Sequence, residues 1–146
     1  MPEASKLYDD VMMDHIKNAR NYREMAEATA TAEGVNPLCG DSFRVYVRID
    51  GDVLRDAAFQ CECCGISMAS ASIMTETVRG LTVADARRAI RQFSALIGGD
   101  AGAAAGDLHA VLGVVSQFPS RVNCASLAWA TLEAVLDGRQ RATLGG

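Results

Sequence analysis

The stretch Phe43-Arg44-Val45-Tyr46-Val47-Arg48-Ile49 sets an apolar residue at every second position, with Arg, Tyr and Arg between. Side chains alternate across a strand, so this pattern predicts one face on a core and the other toward water. Asp50-Gly51 follows, and both residues tolerate the positive φ of a two-residue hairpin turn. The chain is therefore expected to double back as a second strand over about Val53 to Gln60. A weaker Thr/Ala alternation over 28–35 offers an edge strand ahead of this pair. From Cys64 the period lengthens: Ile66, Ala69, Ile73, Met74 and Thr77 fall on one helical face, and Gly80 ends the run.

Helical spacing continues. Val83 to Ile97 carries Ala86, Ile90, Phe93 and Ile97 on one side. Gly98 to Gly106 reads as a Gly/Ala-rich connector, and Asp107 can cap a short helical piece through about Leu112. A last helix begins near Ser120, behind Pro119, with Leu127, Trp129, Leu132 and Leu136 inward and Gly138 closing it. At the other end Ser5 can cap a first helix with Leu7, Val11 and Ile16 on one side, fraying near Asn18 to Asn21. His15 on that helix reads as a surface or helix-end imidazole. Strands first and helices later predict an α+β fold: a small three-stranded antiparallel sheet packed against several helices. One domain over 1–146 is expected, with a loose tail over 139–146.

Composition narrows the function classes. The formal charge is −4 and no basic run is present, which argues against a nucleic-acid partner. The longest apolar stretch, Ala110 to Val115, is too short to span a bilayer, so no membrane role is expected. The first twenty residues mix acids and bases, which predicts no signal peptide and a cytoplasmic setting. In a reducing compartment, five cysteines point to metal or redox chemistry rather than a disulfide framework.

Three of those cysteines sit in polar turn or helix-start strings: Asn36-Pro37-Leu38-Cys39-Gly40-Asp41, Cys64-Gly65-Ile66-Ser67-Met68-Ala69-Ser70, and Arg121-Val122-Asn123-Cys124-Ala125-Ser126-Leu127-Ala128-Trp129. Pro37 and Gly40 bracket Cys39 in a turn that can aim Cys39 and Asp41 at one point. Cys64 and Cys124 lie near helix starts, where unpaired amides and the helix dipole favour the thiolate. Arg121, one turn before Cys124, adds positive charge. Cys39, Asp41, Cys64 and Cys124 make a complete tetrahedral set for zinc, or for iron in a sulfur cluster. Gaps of 24 and 59 residues between the cysteines exclude a short zinc ribbon.

These strings, together with Leu7-Tyr8 and Met13-Asp14-His15 through Asn18, resemble the U-type scaffold family of iron–sulfur cluster assembly, and most closely its SufU branch. Gly98 to about Phe118 is similar to the insert typical of that branch. The related IscU branch places a His before the last Cys and a Leu-Pro-Pro-Val-Lys string for a chaperone. Here those positions read Asn123 and Phe118-Pro119-Ser120-Arg121-Val122. The resemblance implies zinc held by Cys39, Asp41, Cys64 and Cys124, with Cys39 accepting persulfide sulfur from a PLP-dependent cysteine desulfurase of the SufS type. Arg121 would support the charge, and the sulfur would pass to downstream cluster assembly proteins. The alternative on the same residues is a scaffold that builds an iron–sulfur cluster; a closed structural zinc adaptor is a third reading.

One string departs from the family. Cys61-Glu62-Cys63 stands where glycines around a polar residue are usual. Cys61 and Cys63, two apart in extended chain, point the same way. They could be alternative ligands, a resolving pair or a second sulfur carrier, or small side chains in place of glycine.

Overall fold

The computed structural model describes residues 13–36, 40–63, 65–97 and 122–143. Helical residues 13–17 (α1) lead into β1 (Ala30–Asn36), β2 (Asp41–Asp50) and β3 (Val53–Glu62), then α2 (Gly65–Val78) and α3 (Val83–Ile97). After the interval 98–121 come α4 (Val122–Leu136) and β4 (Arg141–Thr143). The expected insert over 98–118 and short helix over 107–112 fall outside the described residues, as do Ser5, Leu7 and Val11.

The three long strands form the expected antiparallel meander, from Ala30↔Val47 to Asn36↔Asp41 and from Ser42↔Glu62 to Asp50↔Val53. Two details differ from expectation. The sheet has a fourth member, in the order β3-β2-β1-β4, because Arg141–Thr143 pairs parallel with β1. The tail is thus tied down through Thr143 rather than loose from 139. The hairpin loop is also Gly51-Asp52, one residue later than Asp50-Gly51, since Asp50 still pairs with Val53. Gly51 (φ 65°) takes the first loop position, the glycine site of a type II′ turn.

Phe43, Val45 and Val47 are buried beneath the helices, and Arg44 and Arg48 face water, as the alternation requires. Tyr46 breaks the rule on the outer face. Met25 and Ala58 cover its ring, and its hydroxyl donates to Gln60 Oε1 at 2.7 Å. On the inner face α4 lies across β1 and β2, α2 lies beside it over β3, and α3 closes the outside. Phe93 of α3 stacks on Trp129 of α4 with centroids 4.4 Å apart and planes 7° apart, a contact that joins the outer helix to the core. Where α4 crosses β1, a Cβ at position 34 would stand 1.9 Å from Thr131 Oγ1, so only Gly34 permits that approach. Past Leu136, Arg139 N donates to Ala134 O and Gly138 N to Val135 O, the paired bonds of a Schellman stop that turns the chain back toward β4.

The helix over 65–78 was expected to bury one face. Instead every residue from Ala69 to Thr75 is buried. Its hydroxyls make this tolerable, because each finds a partner. Ser72 Oγ meets His15 Nδ1 at 2.7 Å and accepts from Arg20 N at 2.8 Å; Thr75 Oγ1 donates to Ser72 O at 2.8 Å and accepts from Asn21 Nδ2 at 3.0 Å. His15 is therefore a buried imidazole that anchors the N-terminal segment, not a surface one.

Candidate metal and sulfur-transfer site

The β1–β2 connection closes on itself: Asn36 pairs with Asp41, and Gly40 (φ 78°) donates its N–H to Asn36 O at 2.9 Å. This bond brings the two ends of the Asn36-to-Asp41 string together at one edge of the sheet. Asp41 opens β2 on the inner face and is buried, at 6 % exposure. Its Oδ2 accepts from Ser67 Oγ at 2.7 Å. Ser67 lies in the first turn of α2.

One turn further along α2, Ser70 Oγ donates to Ala125 O at 2.6 Å and accepts from Trp129 Nε1 at 3.1 Å. Ala125 directly follows Cys124 in the first turn of α4. Two serine hydroxyls on one helix face thus join the starts of β2, α2 and α4, the three places that the cysteine strings occupy. Ser67 and Ser70 were present in those strings, yet sequence reasoning gave them no role. Their spacing of three inside a helical run was the available signal.

Of the expected site residues, Asp41 is fully described. Cys124 is described in its backbone only, and Cys39, Cys64 and Arg121 lie outside the described residues. Among the described residues no cluster of three or more His, Cys, Asp or Glu could hold a metal ion. The donor chemistry nevertheless fits a cation. Among the described residues no Lys or Arg pairs with Asp41, so a buried carboxylate stands there with a hydroxyl donor and no counter-charge. Such a group is costly unless a cation neutralises it.

The end of β3 adds a feature beside this point. Cys61 and Cys63 are joined by a disulfide, with Cα atoms 5.5 Å apart. Both are half-buried on the helix-facing side of the sheet, against the main core. The β2–β3 ladder ends at Phe43↔Cys61 and Ser42↔Glu62, and Cys63 follows directly after it. Tyr22 Oη holds the strand end from the outer side by donating to Cys61 O at 3.1 Å.

The fold agrees with the comparisons with known proteins. The NifU-like N terminal domain family matches residues 7–141, so the chain belongs to that family. It is 42% identical to the zinc-dependent sulfurtransferase SufU of Bacillus subtilis, over 87% of this chain and 87% of that protein. It is 31% identical to the iron–sulfur cluster assembly scaffold protein IscU of Streptococcus pyogenes, over 93% of this chain and 86% of that protein. A crystal structure of a SufU from Fervidobacterium islandicum, a candidate scaffold protein for the SUF system, superposes with a TM-score of 0.78 at 30% identity. It covers 87% of this chain and 94% of that one. Among the described residues no helix is long and apolar enough to cross a membrane.

Proposed function

We propose that the chain is a zinc-dependent sulfur acceptor in iron–sulfur cluster biogenesis, working in the cytoplasm with a cysteine desulfurase. The observation that carries this reading is the buried Asp41 carboxylate, fixed by Ser67 of the second cysteine string and lacking a basic partner among the described residues. The SufU relative, similar along most of both chains, supports it.

In this reading Cys39, Asp41, Cys64 and Cys124 hold the ion. Bound zinc keeps thiolates deprotonated without oxidising them. Three thiolates and a carboxylate leave the site at a formal −2 around a divalent ion, which Arg121 offsets in part. The Cys39 thiolate attacks the outer sulfur of the desulfurase persulfide. The S–S bond breaks, its electron pair leaves with the desulfurase thiolate, and Cys39 carries the sulfur as Cys39–S–SH. Asp41 is the hard oxygen donor among soft sulfurs. Ser67 holds one of its oxygens, so the carboxylate stays aimed while Cys39 moves away to react.

The test is direct. The chain, its desulfurase and cysteine should release alanine faster than the desulfurase alone, and Cys39→Ala should remove the stimulation. Equal stimulation by Cys39→Ala would overturn the assignment. The IscU relative keeps a second reading in view, a cluster scaffold on the same residues. Stoichiometric zinc in the purified protein supports transfer, whereas a coloured protein with visible absorption supports scaffolding.

A further inference from the structure

The disulfide at the end of β3 is absorbed by neither reading. We propose that Cys61 and Cys63 form an internal dithiol that reduces the sulfur carried on Cys39 to sulfide, and that the bridge between them is the spent form of this pair. The inference rests on Cys39 being the acceptor.

Placement carries the argument. Cys61 stands opposite Phe43, on the sheet face that Asp41 opens two residues earlier, and Cys63 leaves the end of β3 directly ahead of Cys64 in the chain. Diagonal neighbours on one face of an antiparallel pair stand about 7–8 Å apart, so Cys61 lies within that range of Asp41. Both cysteines keep partial exposure, which leaves the bridge open to re-reduction. Their Cα atoms stand 5.5 Å apart, closer than two residues of regular extended strand, and this contraction at the strand end brings the two sulfurs within bonding reach. A pair substituting only for glycine would have no need of two thiols within bonding distance.

The chemistry balances. Sulfur arrives as sulfane sulfur, two electrons above the sulfide that a cluster contains. One thiolate of the pair attacks the outer sulfur of Cys39–S–SH. The S–S bond breaks, and Cys39 leaves as the thiolate. The second thiol of the pair then attacks the cysteine sulfur of the new persulfide, expelling HS⁻ and closing the Cys61–Cys63 bond. In sum, one persulfide and two thiols give one thiol, one disulfide and H₂S. The dithiol supplies both electrons, and an external dithiol, protein or small molecule, restores it.

The test uses the full chain, zinc-loaded, reduced with a dithiol and then freed of it. Sulfur is loaded with inorganic polysulfide, excess reagent is removed, and sulfide and peptide masses are followed. Wild type should release about one equivalent of sulfide per chain while losing the Cys61 and Cys63 thiols to the bridge. Cys61→Ser/Cys63→Ser should keep a persulfide of about +32 Da on the Cys39 peptide and release at least about tenfold less sulfide. In one of the single serine variants the added sulfur should move to the remaining cysteine of the pair and stop there. Equal release by the double variant, or a wild-type persulfide that persists beside the reduced pair, overturns the inference alone. A double variant that takes no sulfur on Cys39 overturns the acceptor reading, and this inference with it.

Discussion

α2 and α3 follow one another in the chain and are nearly equal in length, yet they are held by opposite means. α3 is an amphipathic helix capped by Thr82, whose Oγ1 accepts from Asp85 N at 3.1 Å. It buries Ala86, Ala89, Ile90 and Phe93 and leaves Arg88, Arg91, Gln92 and Ser94 in water. α2 has no wet face over 69–75, and its buried serines and threonine serve as sockets for other segments. α3 contributes area; α2 contributes position. The difference matters for function, because the hydroxyls that hold α2 in place also register Asp41 and the start of α4 against it.

The largest effect should come from the apolar side of this comparison. Phe93→Ala removes the ring stacked on Trp129 and should cost about 3–5 kcal/mol, read as a lower urea midpoint with an unchanged slope. A loss under about 1 kcal/mol would mean that α3 is not part of the cooperative core.

Next comes a matched pair, one substitution placed in both helices. Ser70→Ala strands the buried Trp129 indole N–H and removes a second donor from the Ala125 carbonyl, which keeps its helix bond, and should cost about 1–3 kcal/mol. Ser94→Ala, on the wet side of α3, should stay within about 0.5 kcal/mol of wild type. Equal effects would erase the distinction between the two helices. If the sockets also set the site, Ser70→Ala should lose zinc to a chelator faster than Ser94→Ala, and identical release would confine Ser70 to the core.

The same contrast explains what could be read in the sequence. α3 was legible in its bounds and in inward Ala86, Ile90 and Phe93, since a single apolar stripe repeats at 3.6; the side chain of Ile97 lies outside the described ones. β2 was legible through its alternation and β3 through the turn residues ahead of it, although the loop is Gly51-Asp52 rather than Asp50-Gly51. α2 was found in place but misread in character: a buried serine looks like a surface serine until its partner, 52 to 59 residues away, is known. His15 was misplaced for the same reason. β4 was missed because three residues carry no period, and its partner lies more than a hundred residues earlier. At the proposed site, the sequence offered Asp41 through its string, whereas the Ser67 hydroxyl that holds its carboxylate and the Ser70 link to α4 were not legible. The Cys61-Glu62-Cys63 spacing showed a shared face; whether the two sulfurs bond is a matter of redox state, which no residue pattern encodes.

The smallest effect concerns the one place among the described residues where α3 reaches across to hold another element by charge. Arg87 donates to Leu136 O at 2.7 Å, covering a last carbonyl of α4, and pairs with Asp137 Oδ1 at 2.5 Å. The hydrogen bond from Arg87 is the main reason that the Asp137 carboxyl lies below the ordinary carboxylate value, with Arg139 helping. A carboxylate depressed on folding stabilises the protein above its unfolded pKa, and that contribution fades as pH falls through the folded one. Arg87→Ala should therefore lower the urea midpoint slightly at neutral pH. The gap to wild type should narrow as pH falls through the depressed Asp137 value, leaving only the part due to the Leu136 carbonyl. Added salt should shrink it too, since both charges are partly in water. A gap that ignores both pH and salt would mean that Arg87 acts as a helix cap alone, and α3 would then hold α4 without any electrostatic share.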